Sequence, residues 1–90
     1  MLTAEETKVA VISGAARGIG LATSRRFLEE GWRLGLLDID GEALEHSTAN
    51  FANVIAVTCD VAIPEQVQAA INRIVTSFGR IDALVNNAGT

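Results

Sequence analysis

The residues with the clearest chemical potential are three glycines, Gly14, Gly18 and Gly20, in the stretch SGAARGIG over residues 13–20. They follow the apolar run VAVI and precede LATSRRFLEE, so they sit at a strand-to-helix junction. A helix start offers free N–H groups and the positive end of the helix dipole, which together attract phosphate. Phosphate reaches that backbone only where no Cβ intervenes. Gly14 would let the chain turn sharply out of the strand, Gly18 would let the backbone meet a pyrophosphate, and Gly20 would let the helix pack close to the sheet. The spacing is G-x-x-x-G-x-G rather than G-x-G-x-x-G, and no Gly-Lys-Ser/Thr follows, which excludes a P-loop. By themselves the glycines are a weak signal, and a tight turn with close helix packing is the alternative reading.

Three further groups give the glycines a partner chemistry. Asp38, in LGLLDID, lies about 20 positions beyond the glycine turn, where an acidic residue accepts hydrogen bonds from ribose hydroxyls. Its charge disfavours a 2′-phosphate, so it favours NAD over NADP. Asp40 is better placed to cap the next helix, which leaves Asp38 for the ribose. Arg17 pulls the other way, because a cation in the glycine turn suits a 2′-phosphate. Asp60 and Val61, in CDV, follow the third apolar run and offer a carboxylate for an adenine amino group and a backbone for the ring edge; Asp60 also suits a turn. NNAG, from Asn86 to Gly89, closes the fourth run with side-chain amides able to tie neighbouring loops.

These groups need a scaffold. Four near-continuous apolar runs, Val9–Ile12, Leu34–Leu37, Val54–Val57 and Ala83–Val85, predict strands buried on both faces, as in a parallel sheet covered by helices. Helices are predicted at Ile19–Glu30, closed by Gly31, at Glu42–Ala49 behind an Asp40 cap, and from Pro64 to Phe78, stopped by Gly79. In the third, Val67, Ala70, Ile71, Ile74, Val75 and Phe78 form one apolar stripe. Ile63 is a poor N-cap for it. The β-α-β-α-β-α-β order argues for a doubly wound α/β sheet with right-handed crossovers.

Composition narrows the possible roles. The chain has 90 residues, 49% hydrophobic, and a formal net charge of −4 with no basic patch, which disfavours nucleic-acid binding. Arg25 and Arg26 beside Glu29 and Glu30 read as a solvated helix face. No apolar run approaches the roughly 20 residues needed to cross a membrane, and the first residues lack the pattern of a signal peptide. A cytoplasmic location is the expectation. Cys59, the only cysteine, excludes an internal disulfide and reads as a small buried thiol. Trp32 is expected against a helix end, and His46 on a solvated face without the partners of a metal site.

Taken together, SGAARGIG, the acidic residue after the second strand, DV after the third and NNAG after the fourth resemble the short-chain dehydrogenases/reductases. They match that family in order and spacing over residues 8–89, with Ser13 replacing the usual Thr. The resemblance implies a partial Rossmann fold of strand order 3-2-1-4, with the fourth strand at an edge. It implies NAD as cofactor and interconversion of alcohols and carbonyls. It places Gly14, Arg17, Gly18, Ile19 and Gly20 along the pyrophosphate, Asp38 and Ile39 beside the adenine ribose, Asp60 and Val61 at adenine, and Asn87, Ala88 and Gly89 toward the nicotinamide ribose. It also implies a homo-oligomeric parent.

The family's chemistry uses an Asn, a Ser and a Tyr-x-x-x-Lys pair C-terminal to NNAG. This chain has no tyrosine, and its only lysine is Lys8, so no catalytic role transfers to any residue in it. The expectation is the N-terminal third of such an enzyme. An NAD(H)-sensing module without turnover is the alternative, and a methyltransferase, against which NNAG argues, is a third reading.

Overall fold

The computed structural model describes residues 6–87. The strands are β1 (Val9–Ser13), β2 (Arg33–Asp38), β3 (Val54–Thr58) and β4 (Ala83–Asn86), and the helices between them are α1 (Gly18–Glu29), α2 (Gly41–Thr48) and α3 (Pro64–Phe78). All strand pairs are parallel, in the order β3-β2-β1-β4. The alternation of apolar runs and helical stripes predicts the parallel doubly wound sheet, the family resemblance implies this strand order, and every element lies within about two residues of its expected bounds.

Strand alternation sorts the core into two layers. Ala10, Ile12, Leu34 and Leu36 face α1 and α2, where Phe27, Leu28 and Leu44 meet them. Val9, Val11 and Leu37 face α3 through Ala70 and Ile74. Full burial of side chains such as Ile12, Leu34, Leu36 and Ile74 stabilises the fold by about 1.5–3 kcal/mol each. Gly35 sits under α3, and a Cβ there would run into the Ile74 side chain, so its absence sets how closely α3 lies on the sheet.

The expectation of burial on both faces holds for β1 and β2 and fails for the outer strands. β3 is only half-buried, and β4 alternates between half-buried and exposed. Each has one strand neighbour among the described residues, and Leu84 of β4 is 67% exposed. An apolar run alone does not distinguish a central strand from an edge. Trp32 packs edge-on against Phe27 at the end of α1, with ring centroids 4.8 Å apart, as expected.

The N-terminal edge of the sheet is tied by one carboxylate. Asp82 exchanges two bonds with Val9: its Oδ2 accepts from the Val9 N–H at 2.8 Å, and its own N–H donates to the Val9 carbonyl at 2.7 Å. Arg80 grips both of its oxygens, from Nε at 2.8 Å and Nη2 at 2.6 Å. The Arg80 hydrogen bonds, and then the Val9 N–H, hold the Asp82 carboxyl below its usual range. A carboxylate with a depressed pKa in the folded state contributes stability that is present above the unfolded pKa of about 3.9. That stability is lost as pH falls through the folded value. Asp82→Asn should therefore lower the melting temperature near neutrality, and the difference from wild type should shrink as pH falls below about 4. Thermal melts across that range check this; a gap that widens in acid would contradict it.

Candidate functional site

The C-terminal ends of the strands surround a cleft of about 740 Å³. It opens where the chain crosses from β2 on one side of β1 to β4 on the other, the switch point at which open α/β sheets bind ligands. The turn after β1 is left-handed at Gly14, with φ of +63°, and again at Gly18, with φ of +58°. Gly14 thus makes the sharp exit expected of it.

Gly20 has a different neighbour from the one expected. A Cβ on Gly20 would collide with the carbonyl of Gly14, and it would stand 3.2 Å from the Cα of Ala15. The close approach is between α1 and its own entry turn rather than between α1 and the sheet. A Cβ on Gly18 would meet nothing within 4 Å, and Gly18 is not among the cleft-lining residues, whereas Gly14, Arg17, Ile19 and Gly20 are.

The N-terminus of α1 differs from those of the other two helices. Its N-cap residue, Arg17, makes no side-chain cap bond, and its first turn carries no acid. α2 is capped by Asp40, whose side chain accepts from the Ala43 N–H, and Glu42 lies in its first turn. α3 also lacks a side-chain cap bond from its N-cap, Ile63, but it starts on Pro64 and carries Glu65 in its first turn. Of the three described helices only α1 has neither a side-chain cap nor an acid in its first turn, so its own sequence does nothing to offset the positive end of its dipole, and the cleft lies beside that start.

Asp38 is built into the turn. Its Oδ2 accepts from the Ala16 N–H at 3.0 Å, and its Oδ1 from the Asp40 N–H at 3.0 Å. The expectation that Asp40 caps α2 holds, but Asp38 is not thereby left without partners. Each carboxylate oxygen can accept more than one bond, so Asp38 keeps acceptor capacity toward the cleft it lines. Ser47 of α2 completes the clamp, its Oγ donating to the Ala16 carbonyl at 2.6 Å. The backbone at Ala16 is thus held through its N–H by β2 and through its carbonyl by α2. Ser47 was not legible in the sequence, because a polar residue inside a short helix gives no sign of its target.

Asp60 does form a turn, its Oδ1 accepting from the Ala62 N–H at 2.9 Å. Its own N–H donates to Gln66 Oε1 at 2.8 Å. The sequence does not single out Gln66: at the third helical position of α3 it would be expected to reach the N–H of the N-cap Ile63, and it reaches Asp60 instead. Asp60 and Val61 both line the cleft, as does the buried Cys59. Burial, and then the nearby Asp60 charge, push the Cys59 thiol above its usual range, which leaves it protonated and weakly nucleophilic near neutrality. Ile19, Ile39 and Val61 are 76%, 67% and 38% exposed. They place three apolar side chains, one from the first turn of α1 and two from the loops after β2 and β3, around one cleft.

The Ser13 hydroxyl joins the C-terminal end of β1 to that of β4 and to the loop that follows it. It donates to Asn86 Oδ1 at 2.8 Å and accepts from the Asn87 N–H at 3.1 Å. This gives the Ser in place of Thr a definite task, and it gives the Asn86 amide the loop-tying role read for NNAG. Asn87 lines the cleft; Ala88 and Gly89 lie outside the described residues. Lys8 stands at the opposite end of β1, its ammonium 5.6 Å from the centre of the Trp32 ring. Among the described residues no group of His, Cys, Asp or Glu is arranged to hold a metal, and no helix is long and apolar enough to cross a membrane.

A doubly wound parallel sheet, a glycine turn at an uncapped helix start and an acidic residue ending the second strand define a Rossmann-type nucleotide fold. The sequence pattern of the short chain dehydrogenases matches residues 8–90, and the chain belongs to that family. It is 43% identical over 88 residues to 1-deoxy-11-beta-hydroxypentalenate dehydrogenase of Streptomyces exfoliatus, covering 93% of this chain and 32% of that protein. The crystal structure of a short chain dehydrogenase/reductase from Burkholderia phymatum in complex with NAD superposes with a TM-score of 0.82 at 36% identity, over 92% of this chain and 31% of that one. The 3-ketoacyl-(acyl-carrier-protein) reductase of Brucella melitensis, complexed with NADH, gives a TM-score of 0.82 at 31% identity, over 86% of this chain and 32% of that one. The chain thus spans about a third of the length of these relatives.

Proposed function

We propose that residues 1–90 are the N-terminal, NAD-binding part of a Rossmann domain in an oxidoreductase that moves hydride between NAD(H) and an alcohol or carbonyl compound. The observation that carries this reading is the uncapped, acid-free start of α1 beside a cleft in which Asp38 stands across from it. Family membership and the NAD and NADH complexes of two similar structures add to it.

In this reading the first turn of α1, with Gly14, Gly18, Ile19 and Gly20, receives the pyrophosphate. Asp38 accepts from the adenine-side ribose hydroxyls, and Ile39 and Val61 cover the faces of the adenine. Asp60 presents its remaining acceptor capacity to the adenine amino group. Asn87, with Ala88 and Gly89, addresses the ribose toward the nicotinamide. Bound NAD supplies the hydride acceptor or donor. The residues here bind and orient it and keep apolar surface around its rings, and among the described residues none is placed to exchange the substrate's proton.

Equilibrium titration with NAD and NADP tests the reading. NAD should bind saturably and more tightly than NADP, because Asp38 faces the position of the 2′-oxygen. Equal or tighter binding of NADP would overturn the assignment of Asp38.

A further inference from the structure

The sequence leaves Arg17 and Asp38 in opposition over cofactor choice, and the structure shows a third residue between them. The Arg17 Nη2 lies 2.8 Å from Asp40 Oδ2, while Asp40 Oδ1 accepts from the Ala43 N–H at 3.0 Å to cap α2. One carboxylate therefore holds the guanidinium of the glycine turn and the start of the next helix together. Asp40 is itself fixed, because its N–H donates to Asp38 Oδ1. Arg17 lines the cleft, and Asp40 does not.

We infer that Asp40 is a second specificity residue for the adenosine end of the cofactor. It engages the only cation lining the described cleft and so withholds it from a 2′-phosphate. This rests on the NAD reading above. Two carboxylates, Asp38 and Asp40, against one guanidinium leave this corner net negative, which repels a ligand phosphate there but not a ribose hydroxyl. The ion pair is exposed, with side chains 70% and 46% accessible. An exposed pair of this kind holds weakly, so its removal should tune the choice of cofactor rather than invert it while Asp38 remains.

Asp40→Asn separates the two tasks, since Asn caps a helix about as well as Asp but does not hold Arg17 by charge. Dissociation constants of NAD and NADP are measured for wild type, Asp40→Asn, Arg17→Ala and the double variant, each at low and high salt. Asp40→Asn should tighten NADP binding by about fivefold and leave NAD within about twofold. The gain should fall at high salt, and most of it should vanish in the Arg17→Ala background. An unchanged ratio of NADP to NAD affinity in Asp40→Asn would overturn the inference, as would a gain that persists in full without Arg17. Wild type that binds NAD while the ratio stays fixed would sink only the role of Asp40. Wild type that binds neither dinucleotide would remove the site reading and this inference with it.

Discussion

Gly20→Ala is expected to destabilise the protein by about 3 kcal/mol or more, at or beyond the upper end of what overpacking usually costs. The added methyl would run into the Gly14 carbonyl, with the Ala15 backbone just behind it. Both obstacles are main chain, so no rotamer change relieves the contact. Either α1 lifts from its entry turn or the turn opens, and each disturbs the Ala16 N–H that donates to Asp38. Gly18→Ala provides the control two residues away. Its methyl meets nothing, so it carries only the left-handed backbone cost of about 1–2 kcal/mol. In a domain of this size each kcal/mol moves the melting temperature by about 4–8 °C. Thermal melts of the two variants should therefore separate clearly, with Gly20→Ala far the lower. Equal melting temperatures would show that the turn is more compliant than its geometry implies.

Asp38→Ala is expected to weaken NAD binding by about 10- to 100-fold, since charge-assisted bonds contribute about 1.5–3 kcal/mol each. It should also narrow the gap to NADP. The substitution has a structural side as well, because the N–H groups of Ala16 and Asp40 both lose their acceptor. Asp38→Asn keeps one acceptor oxygen and removes the charge, so it should stay closer to wild type in stability while still losing NAD affinity. If both variants bind NAD as wild type does, the ribose contact assigned to Asp38 is wrong.

The fold was legible where residues announce their own geometry. Buried apolar runs marked the strands, Pro64 and Gly79 bracketed α3, and Asp40 in front of Gly41 and Glu42 marked the start of α2. The cleft was legible because its residues cluster at or just after the C-terminal ends of strands, where Gly14, Asp38 and Asp60 stand. Links between loops were not legible. Ser47 reaching Ala16, Gln66 reaching Asp60 and Asp40 reaching Arg17 depend on which helix lies over which turn, and pairing of that kind has no local pattern. The neighbour of Gly20, the Gly14 carbonyl rather than the sheet, has no local signature for the same reason. Small residues signal closeness without naming the neighbour.

In the proposed reading one NAD molecule lies across the C-terminal ends of β1, β2, β3 and β4, with its pyrophosphate at the start of α1. Amide chemical-shift mapping during an NAD titration tests it most directly. Saturable shifts are expected at Gly14 to Gly20, Asp38 and Ile39, Asp60 and Val61, and Asn87, with Lys8, Arg33 and Asp82 at the opposite edge unmoved. Shifts centred on that opposite edge, or none that saturate, would contradict the account.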